Sequence, residues 1–193
     1  MRTILISGAS SGIGLKIAHK QLKEGNRVSA GIRDLESLEG SIIDPRNWPN
    51  EQLILNKYDA LDKNSSKNWI SNTVKSFGSF DTLINSAGIL SKVPFLYKDD
   101  DLDEIDKTMK INFLAVWDLT RLCWEYLSSS KNGRIISIVS MSGKRSKGNL
   151  AAYSCSKFAL MSICQTMRNV GWEKGIRVTT ICPSWVNTKM AKG

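Results

Sequence analysis

Thr3-Ile4-Leu5-Ile6-Ser7-Gly8-Ala9-Ser10-Ser11-Gly12-Ile13-Gly14 opens the 193-residue chain and decides how the rest is read. Ile4 to Ile6 is a short apolar run, the pattern of a strand covered on both faces. Gly8, Gly12 and Gly14 follow at a G-x-x-x-G-x-G spacing. Beyond them Leu15 to Lys23 is amphipathic, with Ile13, Ile17, Ala18 and Leu22 spaced for one helix face. Strand, glycine turn and helix in that order form a site for a dinucleotide pyrophosphate. Glycine permits the tight turn and lets backbone approach a phosphate closely. The helix N-terminus then offers free N–H groups and a partial positive charge.

Working outward, strand and helix patterns alternate to the end of the chain. Strands are expected at 3–7, 27–32, 52–57, 80–85, 133–139 and 176–182. Helices are expected at 12–24, 63–77, 101–129 and 151–173, with a short one at 34–39. Gly25 is placed to end the first helix, Asp62 to cap the second, and 44–50 reads as a loop. The alternation predicts an α/β fold, a doubly wound parallel sheet with helices on both faces. No repeat, low-complexity tract or linker divides it, so 1–193 reads as one domain.

Composition narrows the function classes. Hydrophobic residues make up 41% and charged residues 23% of the chain, as in ordinary globular proteins. No apolar run reaches the length of a membrane span, and the first residues lack the pattern of a signal peptide. The formal net charge is +9, yet the basic residues are scattered, which favours a basic surface over a nucleic-acid interface. Cys123, Cys155, Cys164 and Cys182 have no metal-ligand or redox spacing. They are expected as free thiols in a reducing, cytoplasmic setting. His19, the only histidine, is far from every motif, and no metal cluster is expected. The six tryptophans are expected mostly in the core.

Tyr153-Ser154-Cys155-Ser156-Lys157 carries the second decisive pattern. On a helix, Tyr153 and Lys157 share one face, roughly 6 Å apart along the axis. An ammonium beside a phenol favours phenolate, so Tyr153 is expected to ionise below the usual value of about 10. Ser140 stands thirteen residues upstream, with Ser142 as a rival.

These motifs resemble the short-chain dehydrogenase/reductase family, in its classical type, over nearly the whole chain. Asn85-Ser86-Ala87-Gly88 is similar to the family's N-N-A-G, and Pro183 to Met190 is similar to its P-G-x-x-x-T-x-M. The resemblance implies a Rossmann-type fold and an oxidoreductase that reduces a ketone or aldehyde to an alcohol. It implies catalytic roles for Asn112, Ser140, Tyr153 and Lys157: Tyr153 as general acid, Lys157 as its tuner and ribose ligand, Ser140 polarising the carbonyl, and Asn112 holding a water. It places the cofactor on Gly8, Ser10, Ser11, Gly12, Ile13, Gly14, Arg33, Asp59, Asn85, Ala87, Gly88, Tyr153, Lys157, Pro183, Val186 and Thr188. Ile32 stands where an NAD enzyme would carry Asp, and Arg33 follows. NADP(H) is therefore expected over NAD(H), the alternative being that Asp34 binds the ribose. The resemblance also implies a homodimer or homotetramer built on helices 101–129 and 151–173, with Phe113, Trp117, Trp124, Phe158 and Met161 available for it.

The sequence departs from the family pattern at Ser7, Ser86, Ser184 and Trp185, and no departure removes a catalytic group. The family continues beyond the T-x-M segment with a substrate loop, a helix and a last strand, whereas this sequence ends at Gly193. That C-terminal part is accordingly read as missing. A second reading follows, a cofactor-binding regulatory or scaffold protein without turnover. Lys144-Arg145-Ser146-Lys147, after Ser140, reads as a solvated loop, with attraction of an anionic substrate as its other reading.

Overall fold

The computed structural model describes residues 1–146 and 148–192. Strands β1 (Thr3–Ser7), β2 (Arg27–Ile32), β3 (Leu53–Lys57), β4 (Thr82–Asn85), β5 (Arg134–Ile138) and β6 (Arg177–Ile181) form one parallel sheet in the order β3-β2-β1-β4-β5-β6. Helices α1 (Gly12–Lys23), α2 (Lys63–Phe77), α3 (Leu102–Met109), α4 (Ala115–Ser129), α5 (Ala151–Trp172) and α6 (Lys189–Lys192) connect or follow the strands. The expected α/β, doubly wound architecture is the one present.

Alternation along β1 explains why the sheet is covered on both sides. Ile4 and Ile6 point to one face and pack with Ala18, Leu22, Val28 and Leu53. Leu5 points to the other face and packs with Trp69, Leu83, Leu119 and Leu127. The register brings Ser7 level with Gly31 on one side and Asn85 on the other, and Asn85 level with Ser137. The C-terminal ends of the central strands thus finish together. Strand order reverses between β1 and β4, and the crevice beyond that reversal is where such sheets bind ligands.

The expected strand and helix ends either coincide with the observed ones or move by a residue or two. Gly25 (φ +76°) closes α1 as expected, with Asn26 N–H donating to the Gln21 carbonyl at 3.0 Å. Asp62 caps α2, accepting from Asn64 N–H at 2.9 Å. The short helix expected at 34–39 is a 3₁₀ turn, Glu36–Leu38. A second 3₁₀ turn, Pro45–Asn47, lies inside the expected loop. Asp44 anchors it, accepting from Gly40 N–H at 2.7 Å and pairing with Arg46 at 2.6 Å. These partners hold the Asp44 carboxyl well below the usual carboxylate range.

Two expectations fail. The helix expected at 101–129 is not continuous: Asp99–Asp101 is a 3₁₀ turn, α3 follows, and Lys110–Leu114 forms a π-helical turn before α4. Such turns insert one residue into an α-helix and are stable only where tertiary contacts repay the lost regularity. Here the contacts belong to Asn112, described below. The tryptophans also depart from expectation. Trp69 is fully buried, but Trp117, Trp172 and Trp185 are exposed. Trp172 uses its ring to cover the Arg177 guanidinium, 3.8 Å from the ring centre, an arrangement that needs a surface position.

Candidate active site

The glycine turn is held by contacts that exclude a side chain. Gly8 (φ +69°) donates its N–H to the Gly31 carbonyl at 2.9 Å. A Cβ there would lie 2.7 Å from the Ala87 Cα, and a Cβ at Gly14 would meet the Gly8 carbonyl. Ser7 ties the same region to the end of β4, its hydroxyl accepting from Ser86 N–H at 3.1 Å and Ala87 N–H at 3.2 Å. The hydroxyl kept at position 7 is therefore the part that matters. At the start of α1, Ser11 is extended and its side chain makes no cap hydrogen bond. The first N–H groups of α1 thus have no acceptor within the helix.

Beyond this turn lies a cavity of about 640 Å³ at the C-terminal ends of the strands. Among the expected cofactor residues, Gly8, Ser10, Ser11, Gly12, Ile13, Arg33, Asp59, Ala87, Gly88, Tyr153, Lys157, Pro183, Val186 and Thr188 line it. Gly14 and Asn85 do not. Gly14 supports Gly8 from behind. Asn85 is buried beneath the floor, its amide donating to Thr120 at 3.3 Å and Ser137 at 3.4 Å. Asp34 stays off the wall and turns its carboxylate to Glu36 N–H at 3.1 Å. Asp59 lines the cavity as expected, and its carboxylate accepts from Leu61 N–H at 2.9 Å. The wall carries Arg33, Arg145, Lys157 and Lys189 against the single acid Asp59. This balance, the open helix N-terminus and the cradle at Gly8 fit a phosphate-bearing dinucleotide.

The catalytic candidates converge on the same cavity. Ser140 follows β5 with φ 149° and ψ 159°, a region that only glycine adopts freely. The neighbours enforce it: Val139 N–H donates to the Ile181 carbonyl at 2.8 Å and Met141 N–H to the Pro183 carbonyl at 2.9 Å. Ser140 Oγ accepts from Ser142 N–H at 3.1 Å, leaving its O–H proton free to donate. Tyr153 is buried in the first turn of α5. Lys157, one turn later, is buried at 5% exposure and donates to the Ile138 carbonyl at 3.2 Å.

The expected effect of Lys157 on Tyr153 is not what the geometry produces. The ammonium lies over the tyrosine ring, 5.6 Å from its centre. Burial raises the Tyr153 pKa above its ordinary value, and the Ser140 hydrogen bond only partly opposes that. Lys157 is itself lowered to about 8 by burial. Tyr153 is therefore a protonated phenol at neutral pH, which suits a proton donor.

Asn112 sits inside the π turn and is fully buried. Its Oδ1 accepts from Ile89 N–H at 2.9 Å, while Nδ2 donates to the Ile89 carbonyl at 2.9 Å and to Ser156 Oγ at 3.1 Å. Both ends of the amide thus bond protein groups, and its visible work is to fix the Ile89 backbone. Gly88 closes the arrangement, since a Cβ there would lie 3.1 Å from Asn112 Oδ1 and 3.6 Å from Lys157 Nζ.

Ser142 lines the wall beside Ser140, as does Trp185, which is 78% exposed. Tyr58, Ile89, Leu90, Met141 and Leu150 also line the cavity, as does Met190 at the end of the Pro183 to Met190 segment. The sequence reading missed the first five because they belong to no motif. The only signal was their nearness in sequence to motif residues. Cys155 is exposed, Cys123 and Cys164 are buried, and all four cysteines are free. His19 packs its ring edge-on to Trp48 at 6.1 Å. Among the described residues no helix is long and apolar enough to cross a membrane, and no cluster could hold a metal. Lys147 lies outside the described residues.

Comparison with known proteins agrees with this geometry. The family described as short chain dehydrogenase matches residues 2–193. An agropine synthesis reductase of Rhizobium rhizogenes is 37% identical over 188 residues, covering 97% of this chain and 43% of that protein. The chain therefore spans less than half the length of that relative. A short-chain dehydrogenase/reductase of unknown function from Caenorhabditis elegans, solved with cofactor, superposes with a TM-score of 0.88 at 28% identity, covering 99% of this chain and 72% of that one. A short chain dehydrogenase from Burkholderia cenocepacia, in complex with NADP, shares the fold with a TM-score of 0.86 at 23% identity, covering 99% and 75%. Sheet order, glycine cradle, serine–tyrosine–lysine convergence and whole-chain match lead to one conclusion: this chain belongs to the short-chain dehydrogenase/reductase family.

Proposed function

We propose that the protein is an NADPH-dependent reductase that converts a ketone or aldehyde to an alcohol. The observation that carries this reading is the shared cavity wall on which Ser140, Tyr153 and Lys157 meet the glycine turn. Bound NADPH would supply the hydride. Ser140 and Tyr153 would both donate hydrogen bonds to the carbonyl oxygen and polarise it. As the oxygen gains negative charge, the phenol of Tyr153 transfers its proton and the alcohol is complete. Burial keeps that proton on Tyr153 beforehand. Lys157, with a value of about 8, can return a proton to the phenolate and hold the ribose hydroxyls. Asn112 keeps the Ile89 backbone in place beside them.

NADP(H) is favoured over NAD(H) by position: Arg33 lines the cavity, whereas Asp34 stays off the wall and is turned to Glu36 N–H. A homodimer or homotetramer is part of the proposal. Leu114, Trp117 and Phe158 expose apolar surface on or beside α4 and α5, whereas Trp124 and Met161 are packed inward. The four free thiols suit the reducing cytoplasm proposed for it. Fluorescence titration with NADPH and NADH, followed by NADPH oxidation across a carbonyl panel, tests the reading. Tyr153→Phe should bind NADPH normally and lose turnover. Absence of dinucleotide binding would sink the proposal, and binding without turnover on any carbonyl would leave the regulatory reading.

A further inference from the structure

One cation on the cavity wall has no part in the proposed reaction. Arg33 stands at the end of β2, and Lys157 is engaged beneath Tyr153. Lys189 follows Thr188, whose methyl would touch a Cβ at Gly12 at 3.3 Å, so it belongs to the phosphate end. Arg145 is placed differently. Gly143 N–H donates to the Ser140 carbonyl at 3.0 Å, and the N–H groups of Lys144 and Arg145 both donate to the Met141 carbonyl at 3.0 Å. Two interlocked turns therefore bring Arg145 back from Ser140 to the same wall.

The turn is not free to drift. Met141 N–H donates to the Pro183 carbonyl at 2.9 Å, and a Cβ on buried Gly143 would lie 2.7 Å from the Lys157 carbonyl. The backbone that carries Arg145 is thus fastened to the backbone that carries the reacting groups. Among the described residues, the guanidinium makes no ion pair or side-chain hydrogen bond, whereas Arg2, Arg46 and Arg121 are each paired with a carboxylate. The wall's single acid, Asp59, is at the end of β3. Met141, Ser142, Leu150 and Trp185 line the same cavity and carry no charge.

We propose that Arg145 recognises an anionic group on the carbonyl substrate, so that preferred substrates are ketones or aldehydes bearing a carboxylate or a phosphate ester. A guanidinium offers a planar fork of N–H donors that matches either group. Arg145 is exposed at the cavity wall, so it can meet a substrate arriving from solvent, and added salt should weaken the contact. The inference rests on the reductase reading for its reaction but not for its binding.

The experiment uses matched pairs that differ in charge: levulinate with levulinamide, and dihydroxyacetone phosphate with dihydroxyacetone. Each is tested on the intact protein, Arg145→Gln and Arg145→Lys. Wild type should favour the anionic member of at least one pair by about tenfold or more in kcat/KM, the scale of one charge-assisted hydrogen-bonded contact. That ratio should fall by about the same factor in Arg145→Gln, chiefly through KM, and recover in part in Arg145→Lys. Which pair responds tells carboxylate from phosphate. Equilibrium binding of each probe to the NADP⁺-saturated protein, followed by calorimetry, gives a readout that needs no turnover. Arg145-dependent binding of an anion without any reduction would support this inference while failing the reductase proposal. Equal handling of charged and neutral members by wild type, or a ratio unmoved in Arg145→Gln, would overturn it.

Discussion

Replacing Lys157 by methionine should make the cofactor-free protein more stable while ending its chemistry. Burial lowers the Lys157 value from 10.5 to about 8. Below about pH 8 the lysine is charged in both folded and unfolded chains, so the whole burial penalty is present. Between about 8 and 10.5 the unfolded chain holds more protons, and stability rises with pH. Above 10.5 the lysine is neutral in both states and the penalty is gone. The penalty at neutral pH is about 3 kcal/mol, from about 1.4 kcal/mol for each pKa unit. Methionine keeps an unbranched, flexible shape and removes the charge. It also removes the hydrogen bond to the Ile138 carbonyl, a loss of about 1 kcal/mol. Lys157→Met should therefore be about 2 kcal/mol more stable at pH 7, with the gain shrinking and reversing as pH approaches 10.5. Urea unfolding of both proteins at several pH values between 6 and 10.5 measures this. A stability difference that does not change with pH would refute the reasoning, because packing effects shift both ends equally and only the titration gives a slope.

Three further outcomes follow from the same geometry. Ser140→Gly and Ser140→Ala should both lose activity, yet the glycine variant should be more stable by about 1–3 kcal/mol, since alanine keeps the strained backbone and glycine releases it; thermal unfolding of the pair decides. Gly8→Ala should fold with reduced stability and bind NADPH at least about tenfold more weakly, because it needs both φ +69° and the space occupied by Ala87; fluorescence titration reads the loss. Asn112→Ala should destabilise by about 2 kcal/mol or more, leaving the Ile89 N–H and carbonyl without their partner, with unfolding as the assay and faster hydrogen exchange at Ile89 as its local signature.

Much of this architecture was legible because it rests on local rules. Ile4 to Ile6 could only be a two-face strand, Gly25 a helix stop and Asp62 a cap, and each is so. The spacing of Tyr153 and Lys157 was enough to place them on one face of α5. It was not enough to give their electrostatics, because burial depth and the lie of Lys157 over the ring depend on β5 and on α5's seat against it. The π turn was invisible for a related reason: nothing in Lys110 to Leu114 disfavours α-helix, and the turn exists for what Asn112 reaches on a distant segment. Ser140 was picked out by spacing, but its backbone strain comes from hydrogen bonds to Ile181 and Pro183, some forty residues away. Tryptophan positions failed because hydrophobicity does not tell a core indole from one that shields an arginine.

The π turn has a genetic consequence. The segment from Leu102 to Ser129 contains one residue more than a regular helix would need to run the same course. Deleting one residue from Lys110 to Leu114 would leave a regular helix with both halves still facing the core, but without the widened turn from which Asn112 reaches Ile89. A single insertion elsewhere in the segment has no such turn to absorb it and would rotate one half relative to the other by about 100°. Either Val116, Leu119, Cys123 and Leu127 would then leave the core, or Thr108 and Asn112 would turn away from it. Here the number of residues is constrained more tightly than their identity. Among related genes this stretch should tolerate many substitutions and almost no change in length, in contrast to the exposed loop at 34–51.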